Sequence, residues 1–192
     1  IDFENTKSIL FSGNSTGHSP TSAHSNIGGA IYAGAHDSTS TATKAYITAG
    51  EYALTFQNVT GNMTFENNSA WIAGAIYAYA GAVDGYDNTR GGMKIAGVTG
   101  DVIFWNGNFG AVYSGQDLDI SNIGGDLRFE GNQASNSAGA FGVSGNFNLN
   151  NIGSITFIGN HADKTYAVGW ISKDWNVTNT GNITISGNSS DN

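Results

Sequence analysis

The chain has 192 residues, which is enough for one domain with a hydrophobic core, and its formal net charge at pH 7 is -8. Only seven lysines and arginines are present, which excludes the basic surfaces that bind nucleic acids or anionic membranes. The absence of cysteine excludes disulfides and thiolate metal sites. No apolar run approaches the roughly 20 residues of a transmembrane helix, so we expect no direct membrane insertion of this segment.

The C-terminal part of the chain repeats every 28 residues. The phrases DLRFEGN (126–132), SITFIGN (154–160) and NITISGN (182–188) follow one another at this interval. Apolar and polar residues alternate within each phrase, as with Ile155 and Phe157 on either side of Thr156, which is typical of a strand with one buried face. A repeat of this length indicates one structural unit stacked on copies of itself.

Similar phrases recur upstream at variable spacing, and each repeat contains three short apolar segments. The first segment is the phenylalanine phrase itself, and the second is the short strand before it, such as LDISNI (118–123). The third recurs as GGAIYAG (28–34), AGAIYAYAG (73–81), FGAVYSG (109–115) and AGAFGVSG (138–145). This pattern predicts an all-β fold, a right-handed parallel β-helix with roughly six coils and three short strands per coil. Neither end of the sequence has the polar cap of a solenoid, so we expect residues 1–192 to form a single β-helix domain cut from a longer rod.

Two columns of equivalent residues are expected to stabilise the coils. Aromatic stacking inside the rod is predicted for Phe11, Phe65, Phe104, Phe129 and Phe157. A corner of asparagines, each in a left-handed turn and hydrogen-bonded to the next coil, is predicted for Asn14, Asn68, Asn132, Asn160 and Asn188. The phrase FWNGN (104–108) breaks the spacing of the asparagine column, and we interpret it as carrying one extra residue.

The paired phrases resemble a known family. A full GGAI occurs at 28–31, degenerate copies occur at 73–76, 109–112 and 138–141, and full FxxN motifs occur at 11–14, 65–68, 129–132 and 157–160. Alternating GGA(I/L/V) and FxxN motifs are similar to those of the polymorphic membrane proteins of chlamydiae and related autotransporter passengers. The resemblance implies an outer-membrane passenger, displayed on the bacterial cell surface or secreted, that acts as an adhesin.

Residues for catalysis are sparse. Asp117 and Asp119 resemble the paired carboxylates of polysaccharide-cleaving β-helices, but Asn146 and Asn148 take their positions one repeat later, which favours an outward polar row. The DGYDN phrase (84–88) has oxygen ligands without a full calcium-binding pattern. His18, His24, His36 and His161 show no ligand spacing, and we expect them to face solvent. We therefore expect no catalytic residue, no metal site and no cofactor.

Two features favour recognition of a partner. Insertions at 15–26, 35–45 and 82–92 lengthen the early coils, and insertions in solenoids are frequent binding sites. Within them, His18, His24, Asp84, Tyr86 and Asp87 are candidate contact residues. Drift of surface sequence is an equally good explanation of these insertions.

The second feature is an aromatic face. If Ile31, Ile76, Val112 and Phe141 point inward, alternation places Tyr32, Tyr77, Tyr113 and Trp170 on the outer face of the same sheet. The same argument adds Ala30, Ala75, Ala111 and Ala140 to that outer face. Such a face suits a sugar ring or another chain, and its cover by flanking loops is the competing interpretation.

These observations leave three functions open. The first is an adhesin segment that binds a host-cell receptor or glycan through the insertions and the tyrosine face. The second is a structural fibre whose neighbouring copies stack end to end, because uncapped coils expose strand edges. The third is a polysaccharide-active β-helix enzyme that uses Asp117 and Asp119.

Overall fold

A computed structural model describes residues 1–16, 28–35, 52–70, 72–80, 92–108, 110–135 and 137–191. Within these ranges the chain forms twenty strands, β1 to β20 in chain order, and no helix. Every strand pair is parallel, and each strand pairs with the equivalent strand of a neighbouring coil. The predicted all-β, parallel β-helix architecture is thereby confirmed, whereas its right-handed sense stays a prediction.

Four sheets run along the stack of coils. The first contains β1 (Asp2–Glu4), β4 (Leu54–Val59), β7 (Met93–Val98), β10 (Leu118–Ile123), β14 (Phe147–Ile152) and β18 (Trp175–Thr180). The second contains β2 (Ile9–Ser12), β5 (Met63–Glu66), β8 (Val102–Trp105), β11 (Leu127–Glu130), β15 (Ile155–Ile158) and β19 (Ile183–Ser186). The third contains β12 (Gln133–Ala134), β16 (His161–Ala162) and β20 (Ser189–Ser190). The fourth contains β3 (Ile31–Ala35), β6 (Ile76–Ala80), β9 (Val112–Ser114), β13 (Phe141–Val143) and β17 (Gly169–Ile171).

The six strands of each long sheet correspond to the six coils predicted from the sequence. The first, second and fourth sheets are the three predicted columns. The third sheet is an addition that the sequence did not predict, and isolated bridges extend it into earlier coils through Ser15, Ser69 and Asn108. Its strands are two residues long, which is too short to show the alternation of apolar and polar residues by which a strand is recognised.

The interior is built from in-register apolar columns. Centroids of successive rings in the phenylalanine column of the second sheet are 5.2, 5.1, 4.8 and 5.3 Å apart, with interplanar angles of 7–14°. These rings belong to Phe11, Phe65, Phe104, Phe129 and Phe157, as predicted. Phe3 stacks on Phe56 in the same way in the first sheet, at 4.8 Å. Each fully buried ring stabilises the fold by about 1.5–3 kcal/mol relative to leaving it in water.

The predicted asparagine column also forms, and it links the coils through side-chain amides. The Asn160 amide nitrogen donates to the Phe129 carbonyl oxygen and to Asn188 Oδ1, both at 2.9 Å. Its own Oδ1 accepts from the backbone N–H of Asn132 at 3.1 Å and from the Asn132 amide at 2.9 Å. The same amide-to-carbonyl bond is repeated by Asn68, Asn132 and Asn188. A buried polar side chain is therefore fully paired between stacked coils.

One detail of that corner corrects the sequence interpretation, which placed the asparagines themselves in the left-handed region. The left-handed residue is the one that precedes each ladder asparagine. A second column of left-handed residues lies at the bend of the first sheet, and φ is 51–67° in both columns. The residues are Gly13, Asn67, Asn106, Gly131, Gly159 and Gly187 in one column and Asn5, Asn58, Gly97, Asn122, Asn151 and Asn179 in the other. Glycine and asparagine share these positions because both tolerate positive φ.

The interpretation of FWNGN as one residue too long was wrong. Phe104 pairs with Phe65, Trp105 pairs with Glu66, and Asn108 bridges to Ser69, so the register passes through this phrase without an insertion. Gly107 occupies the position of the ladder asparagine. Its backbone N–H still donates to Asn132 Oδ1 at 3.0 Å, but it supplies no side-chain amide of its own.

The GGA phrase forms the corner that leads into the fourth sheet. A Cβ atom on the second glycine would lie about 2.1–2.4 Å from a carbonyl oxygen of the next coil, at Gly29, Gly74 and Gly139. Only glycine permits this close approach of two backbones. The following alanine and the first strand residue both donate to one carbonyl, as with the Ala75 and Ile76 N–H groups and Ala111, at 3.0 Å each.

Among the described residues, no helix is long and apolar enough to span a membrane.

Candidate functional site

The outer face of the fourth sheet carries a stack of aromatic side chains. Ile31, Ile76, Val112 and Phe141 are buried, as the alternation predicted. The register pairs Tyr32 with Tyr77 and Tyr77 with Tyr113, so the three rings lie one above another on the opposite face. The ring centroids are 5.6 and 4.8 Å apart, with interplanar angles of 8° and 10°. The Tyr32 side chain is 38% exposed, and Tyr77 and Tyr113 are half-buried.

The stack continues past a coil that has no aromatic residue. Gly142 pairs with Tyr113 on one side and with Trp170 on the other. The Trp170 indole lies over Gly142 and contacts the Tyr113 ring, with ring centroids 6.0 Å apart and an interplanar angle of 58°. A Cβ atom at Gly142 would lie 2.8 Å from the indole nitrogen, so glycine is what lets the indole occupy this place. A tryptophan thus closes the tyrosine stack.

The alanines expected beside these tyrosines were placed wrongly. Ala75, Ala111 and Ala140 are 0–2% exposed and belong to the hydrophobic core, and Ala30 packs against the same core. They lie in the corner before each strand, where the backbone is bent and not extended. Alternation of inward and outward side chains holds only within a strand, so it could not be extended to them.

A cleft lies next to the tryptophan end of the stack. Its volume is about 390 Å³, its wall is mainly apolar, and four of its lining residues carry a hydroxyl group. The lining residues are Ile72, Tyr113, Ser137, Ala138, Thr165, Tyr166 and Trp170. Tyr166 is 63% exposed. The Thr165 hydroxyl donates to the Ser137 carbonyl at 2.6 Å, which joins two lining segments of adjacent coils.

Flat aromatic faces and a few hydroxyl groups are suited to stacking on the apolar face of a sugar or holding a side chain of a partner. The tyrosines and Trp170 were predicted from the sequence, whereas Tyr166 and the cleft were not. The spacing contained the necessary signal, because Thr165 and Ser137 are 28 residues apart. What it lacked was the direction of side chains in the irregular segment between the third and fourth sheets.

The loop candidates cannot be placed in this site. Residues 17–26, 36–45 and 82–91 of the three predicted insertions lie outside the described residues. The same holds for His18, His24, Asp84, Tyr86 and Asp87, and for His36. Of the first insertion, Ser15 and Thr16 are described, and both join the next coil through Ser69.

Asp117 and Asp119 lie beside the asparagines that take their positions in the next coil. Asp117 Oδ1 accepts from the Asn146 backbone N–H at 2.7 Å, and Asp119 Oδ1 accepts from the Asn148 amide at 2.5 Å. Asn148 in turn accepts from the Asn176 amide at 2.8 Å. The two carboxylates are therefore held in a hydrogen-bonded row across the sheet.

A tyrosine completes that row. The Tyr52 hydroxyl donates to Asp119, and the Lys94 ammonium lies 5.8 Å from the centre of the Tyr52 ring, within the range of a cation–π contact. Partial burial raises the pKa of Tyr52 above its ordinary value of 10.0, and the hydrogen bond and charge of Asp119, followed by the charge of Asp117, raise it further. The phenol therefore stays protonated and serves as a donor across the physiological pH range.

His161 differs from the sequence expectation of a histidine without ligand spacing. Its Nε2 atom lies 3.2 Å from Asp163 Oδ1 and 3.6 Å from Asp191 Oδ2. Its side chain is 30% exposed and borders the third sheet, which the sequence analysis had not found. Asp163 and Asp191 are 28 residues apart, so the period could have revealed their stacking.

Comparison with known proteins agrees with the motif pattern. No curated protein matches the chain, and no solved structure matches it. Residues 8–34 match the family model of the Chlamydia polymorphic membrane protein repeat. That segment contains the first FxxN at 11–14 and the full GGAI at 28–31, so the resemblance predicted from these two phrases is confirmed there.

Proposed function

We propose that this chain is part of a bacterial surface passenger that binds host cells and catalyses no reaction. The observation that carries the proposal is the stack of Tyr32, Tyr77 and Tyr113 that ends at Trp170 beside a cleft of about 390 Å³. Aromatic side chains of this kind supply large contact area at low cost in conformational entropy. The partner class is a host-cell receptor or its glycan.

The match to the Chlamydia polymorphic membrane protein repeat supports an adhesin-like passenger exposed at the outer membrane. The insertions at 15–26, 35–45 and 82–92 are the second part of the proposed recognition surface. Their sequences interrupt the chain before and after β3 and after β6, both strands of the fourth sheet. The insertions and the tyrosine face are therefore neighbours in the sequence.

Two observations favour a structural role for Asp117 and Asp119. Their carboxylates accept hydrogen bonds from Asn146, Asn148 and Tyr52. The equivalent positions in the next coil are asparagines, which cannot act as general acids or bases at neutral pH. We therefore assign the row to the packing of neighbouring coils.

The proposal is tested by the adhesion of beads coated with this chain to epithelial cells. Three altered chains would be compared with the unaltered one: Trp170→Ala, a chain trimmed within 17–26 and 82–91, and the control Trp105→Ala. Ser15, Thr16 and Gly92 are kept in the trimmed chain because their backbones bond to neighbouring coils. Trp105 is a matched control, since it is 47% exposed but lies on the second sheet.

We expect the unaltered beads and the Trp105→Ala beads to adhere equally, and Trp170→Ala and the trimmed chain to adhere at least about tenfold less, as for loss of a contact worth about 1.4 kcal/mol or more. Circular dichroism should show the same β spectrum for all four chains. Equal adhesion of all four would contradict recognition through this face and these insertions. Absence of adhesion by the unaltered chain would contradict the adhesive role itself.

A further inference from the structure

The described part of the third sheet brings a histidine and two aspartates of adjacent coils together. His161 pairs with Ser189 and Ala162 pairs with Ser190, so Asp163 and Asp191 follow at the same position of neighbouring coils. The Asp163 N–H donates to the Ala134 carbonyl at 2.8 Å, and the Asp191 N–H donates to the Ala162 carbonyl at 3.2 Å. Backbone hydrogen bonds between coils thus fix the positions of the Asp163 and Asp191 backbones.

Stacking of equal charges at this position requires compensation. Like charges directly opposite one another on paired strands destabilise the pairing. The preceding coil avoids the problem, because it has Gln133 where the next has His161, and Ser135 where the next has Asp163. The histidine and the two aspartates therefore appear together over two successive coils, with the imidazole Nε2 atom within 3.6 Å of an oxygen of each carboxylate.

The three side chains are close enough to share one divalent ion. The candidate ligand atoms of the three residues all lie within 4.8 Å of one another. Zinc bound tetrahedrally at about 2.0–2.1 Å separates its ligand atoms by about 3.3–3.4 Å. The His161 Nε2 atom is 3.2 Å from one carboxylate oxygen and 3.6 Å from the other, which brackets that separation.

The other nitrogen of the imidazole has the partner that a metal-binding histidine requires. His161 Nδ1 lies 2.9 Å from the Ser189 hydroxyl oxygen. An Nδ1–H that donates to this oxygen leaves the Nε2 lone pair directed toward the two carboxylates, where an ion would be bound. An imidazole nitrogen with two carboxylates suits Zn²⁺ better than Ca²⁺ or Mg²⁺, which prefer oxygen ligands alone.

We propose that His161, Asp163 and Asp191 bind one Zn²⁺ ion, which links the fifth and sixth coils. Three protein ligands leave the fourth position for water. The ion neutralises the two stacked carboxylates and adds a connection between coils to the backbone hydrogen bonds, asparagine hydrogen bonds and stacked rings. This inference is independent of the proposed adhesion, because it concerns a different sheet.

The test is titration of the 192-residue chain with Zn²⁺ by calorimetry, and with Co²⁺ by absorption spectroscopy. The variants are His161→Gln and Asp191→Asn, with Asp174→Asn as the control. Asp174 is an exposed aspartate of the sixth coil whose carboxylate lies outside the cluster. We expect one saturable ion per chain, affinity lowered at least about tenfold in the two cluster variants, and unchanged affinity in the control.

Binding of the ion to the other three histidines of the chain has to be distinguished from binding at His161. In the nuclear magnetic resonance spectrum of the unaltered chain, Co²⁺ should first shift or broaden the ring signals of His161, before those of His18, His24 and His36. Zn²⁺ should also raise the melting temperature of the unaltered chain but not that of His161→Gln. Absence of saturable binding, wild-type affinity in His161→Gln, or a first effect at another histidine would each overturn the proposal.

Discussion

The phenylalanine stack inside the coils and the tyrosine stack outside them have nearly the same stacking geometry. Ring centroids are 4.8–5.3 Å apart in the first and 4.8–5.6 Å apart in the second, and both sets are close to parallel. The two stacks differ in burial, because Phe65, Phe104, Phe129 and Phe157 are 0–1% exposed, whereas Tyr32 is 38% exposed. Parallel register alone aligns equivalent side chains on either face, so a stack is not by itself evidence of a core or of a binding surface.

The largest expected effect is the difference in stability lost when one ring is removed from each of the two stacks. Phe129→Ala removes a ring that contacts Phe104, Phe157 and Phe141, and should lower the free energy of unfolding by about 3–5 kcal/mol. Tyr77→Ala removes a half-buried ring with two stacked neighbours and should cost only about 1–2 kcal/mol. Urea unfolding followed by circular dichroism measures both, and equal losses would contradict the distinction.

The asparagine column is expected to come next. Asn160→Ala leaves the Phe129 carbonyl and the Asn132 amide groups without their partner in a buried place, and should cost about 2–3 kcal/mol. Asn176→Ala is the matched control, because its exposed amide donates to an asparagine of the preceding coil, and it should cost less than about 0.5 kcal/mol. A similar midpoint of urea unfolding for the two variants would show that burial of the column contributes little.

The hydrogen bond between Tyr52 and Asp119 should make the stability of the chain fall at alkaline pH. Burial and Asp119 raise the pKa of Tyr52 in the folded chain above its value of 10.0. The stabilisation is therefore fully present below pH 10 and is lost as the pH rises from 10 through the higher folded value. The absorbance at 295 nm of the folded chain minus that of Tyr52→Phe should show less phenolate at pH 11 than an ordinary tyrosine, which is mostly ionised there. Ionisation of Tyr52 near pH 10 would contradict this arrangement.

The smallest expected change in stability concerns the end of the outer stack. Gly142→Ala places a Cβ atom 2.8 Å from the Trp170 indole nitrogen, so the indole must move off Tyr113, while stability changes by less than about 1 kcal/mol. Subtracting the fluorescence of a Trp170→Phe chain in each background isolates this indole. We expect its emission to shift to longer wavelength in Gly142→Ala, and an unchanged emission would contradict the contact.

Much of this architecture follows from the period of the sequence. Phe129, Phe157 and Asn160 could be assigned to interior columns because a gapless repeat of 28 residues fixes their register and alternation fixes their side. The same reasoning failed for Ala75, because a corner residue does not alternate, and for Gly107, because a substituted ladder residue resembles an insertion. The 28-residue period relates Ser137 to Thr165 and Asp163 to Asp191. It gives neither the side-chain directions between strands nor the two-residue strands of the third sheet, so the period alone could not assemble the site beside Trp170 or the cluster at His161.

The asparagine column has a mechanical consequence. The hydrogen bonds between parallel coils point along the axis of the stack, so a pulling force along that axis acts on the interfaces between coils in series. The strength of such an arrangement is set by its weakest interface. Asn68 and Gly107 meet between the second and third coils, where Gly107 contributes no side-chain amide to the column. Among the described residues of this column, we therefore expect the junction at Gly107 to separate under load at a lower force than the junction of Asn132 and Asn160.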